Sequence, residues 1–185
     1  MKKKILSVLI AVCMVFSFAG CGEKEKNTDT NVIDIEYYVS LGQMPECGYQ
    51  LGDDVETVKS DLSALVETEG SEAVYEVTEG ENNVLIDNGD FCYYYKKANP
   101  EKGVSYIVNY GTAYGFDTGA VIVEVKDALA DFEYTEEPLN ENNAFFMFDT
   151  SNGTVIKCNF ENNTVLFVFK DNALCATALY TTADW

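Results

Sequence analysis

The sequence predicts an α+β fold in which two helix-plus-four-strand repeats share an antiparallel sheet with the helices on one face. Three observations predict it. Tyr49-x-x-Gly52-x-x-Val55-x-x-Val58-Lys59-x-x-Leu62 is echoed by Phe116-x-x-Gly119-x-x-Ile122-x-x-Val125-Lys126-x-x-Leu129 at an offset of 67 residues, the mark of an internal duplication. Any two amphipathic helices share apolar spacing, but that does not align the aromatic, the glycine and the lysine as well. Each copy is followed by segments with the period-two alternation of half-buried strands. Asp87-Asn88-Gly89-Asp90 and Glu161-Asn162-Asn163-Thr164 then read as matching hairpin turns.

The globular part begins at Ile33, where Ile33, Ile35, Tyr37 and Val39 alternate with Asp34, Glu36, Tyr38 and Ser40, the pattern of a strand. Gly42, Pro45 and Gly48 make Leu41 to Gln50 a loop. A helix follows, with Asp53 or Asp54 as its cap, Val55, Val58, Leu62 and Leu65 on one face, and Gly70 as its stop. Strands are expected near Ala73 to Thr78, Asn83 to Asp87, Phe91 to Lys97 and Val104 to Tyr110. After the second helix they are expected at Ala144 to Asp149, Thr154 to Phe160, Thr164 to Lys170 and Ala173 to Thr181.

Turn positions assign the faces. A two-residue turn at Asn162-Asn163 sets Ile156, Cys158 and Phe160 opposite Phe169, Phe167 and Val165 on an inner face. A turn at Asp171-Asn172 adds Leu174, Ala176, Ala178 and Tyr180 to that face as the bed for the helices. Val84, Ile86, Phe91, Tyr93 and Tyr95 are inner in the first half. The outer face holds Leu85, Cys92, Tyr94, Lys96, Val155, Lys157, Asn159, Thr164, Leu166, Val168 and Lys170, joined by Phe146 and Phe148, so it is not fully polar.

At the N-terminus, Met1-Lys2-Lys3-Lys4, an apolar run from Ile5 to Phe18, and then Ala19-Gly20-Cys21 have the layout of a signal peptide. The run is shorter than the ~20 residues of a spanning helix. Phe18-Ala19-Gly20-Cys21 resembles the cleavage box of bacterial lipoproteins. The resemblance implies cleavage before Cys21, diacylglycerol on its sulfur, and a lipid-anchored place on the extracytoplasmic face of the cell membrane. Acyl chains at ~0.8 kcal/mol per buried methylene suffice as an anchor. The expected organisation is a signal over 1–20, the lipidated cysteine and a polar tether over 21–32, and one globular domain over 33–185, its repeats about 33–110 and 111–185.

Cleavage removes Lys2, Lys3 and Lys4 but no acid, taking the formal charge from −19 to −22. That field disfavours nucleic acid and anionic headgroups. The chain has no His and no Arg, which removes Ser/His and Cys/His nucleophile pairs, His-ligated zinc and the bidentate clamp for phosphate. A general base would have to be a shifted carboxylate or lysine, and no pair of acids is spaced for it. Asp87-Asn88-Gly89-Asp90 lacks the D-x-D-x-D-G frame of a calcium loop. No cofactor and no metal are expected.

Cys47, Cys92, Cys158 and Cys175 remain in the domain. An oxidising location permits disulfides, with three connectivities, and buried free thiols are the alternative. Cys158 with Cys175 is rejected, since they stand two strands apart on opposite faces. Tyr93-Tyr94-Tyr95-Lys96-Lys97 is the densest aromatic run, readable as a strand or as an amphipathic contact patch.

A glycine before a capped helix with V-x-x-x-L spacing, then an antiparallel meander, twice over, resembles tandem beta-lactamase-inhibitor-like modules. Outer-membrane assembly lipoproteins of the SmpA/BamE type hold one such unit. The resemblance implies binding through the sheet face away from the helices, and no catalysis. The expected partner is a protein or a cell-envelope component, met through Tyr94, Lys96, Phe146, Phe148 and Leu166. The alternatives are a carboxylate-dependent envelope hydrolase or transferase, and a homodimeric structural lipoprotein.

Overall fold

The computed structural model describes residues 34–69, 74–147 and 149–182. Eight strands form one antiparallel sheet: β1 Glu76–Glu79, β2 Asn83–Asp87, β3 Phe91–Lys96, β4 Tyr106–Asn109, β5 Tyr134–Pro138, β6 Gly153–Phe160, β7 Asn163–Lys170 and β8 Ala173–Thr181. Their order is β1-β2-β3-β4-β8-β7-β6-β5, so the two meanders meet where β4 pairs antiparallel with β8. Among the described residues three α-helices accompany the sheet, α1 Ile35–Ser40, α2 Val55–Glu69 and α3 Ile122–Ala128, with a 3-10 turn at Pro100–Lys102.

The helices form where caps and spacing dictate. Asp54 accepts the Thr57 N–H at 2.8 Å and caps α2, and Val55, Val58 and Leu62 recur on one side of it. These three, with Ile35 and Val39 of α1, Val125 of α3 and Leu129 just beyond it, join Val84, Ile86, Tyr93, Tyr95, Ile156, Phe167 and Phe169 in one buried cluster on the sheet's inner face. Each such side chain contributes about 1.5–3 kcal/mol by leaving water. Leu65, expected on the buried stripe, is 44 % exposed, so the stripe ends one turn earlier. Gly52 and Gly119 both take positive φ, +89° and +97°, which suits glycine. Gly52 N–H donates to Val104 O and Val104 N–H to Asp53 O. In the same way Gly119 N–H donates to Leu174 O and Leu174 N–H to Ala120 O.

Four expectations need correction. The segment expected to be a strand is a helix over its described residues: Asp34 accepts the Tyr37 N–H at 3.0 Å and starts α1, Ile35–Ser40. Its Ile35 and Val39 are buried while Tyr37 is exposed, because a four-residue spacing fits a helix as well as alternation does. Ala144 to Met147 lies in turns, since Asn140 Oδ1 accepts the N–H groups of Asn142 and Asn143 while Asn143 Oδ1 accepts that of Asn140. The outermost strand of the second half is instead β5, whose five residues are all exposed. It is an acidic edge that ends in proline, which blunts pairing with other chains. Finally, a bulge between Val168 and Phe169 adds Cys175 to β8, setting Phe169 opposite Leu174 but Val168 opposite Ala176. Ala176, Ala178 and Tyr180 therefore belong to the outer face, and Leu179 to the inner.

Both hairpin registers differ by two residues from expectation, Ile156 pairing with Phe167 and Asp87 with Cys92. Glu161 takes a φ of 36°, which moves the second turn to Glu161-Asn162. A slip of two leaves every side chain on its face, so the remaining inner and outer assignments stand.

Candidate functional site

The outer face of the sheet carries a second apolar cluster. Cys92, Tyr106, Val108, Val155, Leu166, Val168, Ala176 and Ala178 supply its floor, with Tyr94 and Tyr180 partly buried beside them. Leu139, Ala144 and Phe146, from the segment between β5 and β6, lie against it and roof part of it. Leu139 N–H donates to Gly153 O at 2.9 Å, and the Tyr110 hydroxyl donates to Phe146 O at 3.4 Å. Beyond the roof, Lys170 Nζ donates to Asp149 Oδ2 at 2.9 Å and to Ser151 O.

At the edge of this roof the aromatic rings form a corner. Tyr106 and Tyr180, opposite each other on β4 and β8, stack with centroids 5.0 Å apart and planes at 3°. Phe145 stands edge-on to Tyr106 at 5.1 Å and to Tyr94 at 5.2 Å. Such contacts fix ring orientation and are worth about 0.5–1.5 kcal/mol each beyond burial. Phe145 is nevertheless 36 % exposed. A pocket of about 140 Å³ opens there, lined by Tyr106, Tyr180, Phe145, Val155 and Leu166 and bordered by Glu137, Asn142, Asn143 and Lys157.

The floor of this face offers neutral donors and apolar surface, with Glu137 and Lys157 at the border of its pocket. Burial, more than the neighbouring phenols, pushes the Tyr94 and Tyr106 hydroxyls up, and burial pushes that of Tyr110 up to about 12. They remain protonated donors at neutral pH. Cys92 is pushed up to about 12 by burial and then by Asp87, and Cys158 to about 12 by burial, so neither is a ready thiolate. All four described cysteines are free. Among the described residues no group of three or more His, Cys, Asp or Glu is placed to hold a metal ion. In the Asp87–Asp90 turn, Asp87 Oδ1 accepts the Gly89 N–H and Asn88 Oδ1 those of Asp90 and Phe91, so these oxygens close the hairpin.

Of the residues expected to meet a partner, Tyr94, Phe146 and Leu166 come together in the outer cluster, and Lys96 lies two residues along β3, half-buried. Phe146 and Leu166 are only 6 % and 2 % exposed. Their expected role as open surface is corrected: the roof turns Phe146 down onto the sheet and leaves Phe145 at the rim. Phe148 and Cys21 lie outside the described residues. Sequence reasoning missed Phe145 and Tyr180, although the clustered Asn140, Asn142 and Asn143 signal a turn rather than a strand.

A scan against protein-family models found no match, and neither curated proteins nor solved structures gave a significant one.

Proposed function

We propose that this chain is a lipid-anchored, extracytoplasmic binding module, held at the membrane by Cys21 and meeting a protein or cell-envelope component through the outer face of its sheet. The observation that carries the reading is the aromatic corner: Phe145 is part exposed yet held edge-on by Tyr94 and Tyr106 beside an open pocket. Rigid aromatics with phenol donors are the surface elements that anchor partners at low entropic cost. Contact is assigned to Phe145, Tyr94 and Tyr180, with Lys96 at the margin.

The domain is proposed to be a duplication of one helix-plus-four-strand unit. Supporting it, the two motif glycines share a left-handed backbone and the same paired hydrogen bonds, one set to Val104 two residues before β4 and the other to Leu174 in β8, while β4 and β8 pair at the centre of the sheet. The copies have diverged, since α2 spans 15 residues and α3 spans 7. For the anchor the support is the Phe18-Ala19-Gly20-Cys21 box after a basic and apolar leader. No helix of the described residues is long and apolar enough to cross a membrane.

Binding is preferred to carboxylate catalysis on one observation: among the described residues lining the corner pocket Glu137 is the single acid, whereas acid-base work by carboxylates takes two acids in one cleft. Fractionation of cells expressing Cys21→Ala tests the anchor. The domain is expected to leave the membrane fraction with its melting temperature unchanged, and a variant that stays membrane-bound refutes the lipid anchor.

A further inference from the structure

In this acidic chain the described lysines are almost all engaged. Lys59 pairs with Glu56, Lys97 with Glu79, Lys126 with Glu136 and Lys170 with Asp149, at 2.5–2.9 Å. Lys96 and Lys102 also have partners. The Lys157 side chain makes no ion pair or hydrogen bond among the described residues, though half-buried and set on the border of the aromatic pocket. Glu137 borders the same pocket from the neighbouring strand, opposite Val155, and so lies diagonal to Lys157 on one face. Diagonal neighbours stand ~7–8 Å apart, within reach of two long side chains, yet these two do not pair. Cation and anion therefore flank the pocket separately.

We infer that the pocket takes a small zwitterion of the α-amino-acid type. Its carboxylate meets the Lys157 ammonium, its ammonium meets Glu137, and its apolar side chain packs between Phe145 and Tyr180. The inference rests on the reading of the outer face as a binding surface and names the ligand class of that site. Size and charge both select it. At 140 Å³ the pocket is below the ~300–1,000 Å³ of sites for drug-sized ligands and holds an aliphatic side chain. A simple anion would face Glu137 and the field of a mature chain of charge −22. A simple cation would face Lys157. A neutral molecule would leave both charges without a counter-ion, Glu137 having the Thr135 hydroxyl as its donor at 3.4 Å, whereas a zwitterion carries no net charge and answers each.

The test is calorimetric titration of the full mature chain in detergent with L-leucine, N-acetyl-L-leucine, which lacks the ammonium, and L-leucinamide, which lacks the carboxylate. Leucine is expected to bind saturably and each derivative about tenfold more weakly, as loss of a charge-assisted hydrogen bond implies. Lys157→Gln is expected to weaken leucine about tenfold without weakening leucinamide. Because the Lys157 side chain makes no bond within the described chain, the variant's melting curve should match wild type, which separates lost binding from lost folding. Phe145→Ala should weaken all three ligands together. The inference is overturned by no saturable leucine binding at millimolar concentration, by equal binding of all three, or by indifference to Lys157→Gln. Such failure is distinguishable from failure of the binding surface itself, which crosslinking from Phe145 reads independently.

Discussion

The carboxylate of Asp149 shows how a single residue ties the roof segment to the sheet. It accepts from Lys170 Nζ, from Ser151 N–H at 2.9 Å and from Ser151 Oγ at 2.7 Å, and these bonds hold its pKa well below the ordinary 3.8. A carboxyl depressed on folding stabilises above its unfolded pKa, and the contribution fades as pH falls toward the folded value. Asp149→Asn is therefore expected to lower the melting temperature at neutral pH, with the gap to wild type closing as the pH drops below about 4. A gap independent of pH would show that the ion pair contributes nothing. Thr177 is the opposite case: it is fully buried and its Oγ1 has no partner among the described residues. Thr177→Val removes an unanswered hydroxyl at nearly constant volume and is expected to stabilise the domain by about 1 kcal/mol, measured by urea denaturation. Neither role is legible in the sequence. A side chain's partners depend on register, and register depends on turns set by backbone angles such as the positive φ of Glu161.

Among elements, the roof over the outer face is the least legible and the most consequential. Phe145, Phe146 and Phe148 within an apolar run look like a strand, but asparagine side chains capture the local backbone N–H groups and fold the segment into turns. The central strands were legible because they are runs of β-branched and aromatic residues bounded by turn residues. The acidic β5 edge has no alternation to read, and the bulge in β8 reversed Ala176, Ala178 and Tyr180 through one extra residue. A Cβ added to Gly153 would sit 2.4 Å from Leu139 Cδ2 and 2.7 Å from its Cβ, so Gly153 is the seat of the roof. Gly153→Ala is expected to lift Leu139 and cost about 1–3 kcal/mol. Amide exchange should rise selectively over 139–147, and an unchanged exchange pattern would show that the roof does not depend on this contact.

At the scale of the molecule, one sheet separates two differently covered surfaces. The inner face is filled by the helices and forms the larger core, and the outer face is only part-roofed, with its aromatic corner open. The rest of the surface is dominated by acids in a chain with neither His nor Arg, which repels anionic polymers and leaves the corner as the region suited to short-range contact. A lipid anchor at Cys21 would confine that corner to what lies close to the membrane. The most direct measurement is paired photo-crosslinking in intact cells, with a photoreactive residue in place of Phe145 on the outer face or of Val123 on α3, 59 % exposed on the helix side. A discrete crosslinked species is expected from position 145 and none from position 123. No adduct at 145, or the same adducts from both positions, would contradict a binding role for the outer face.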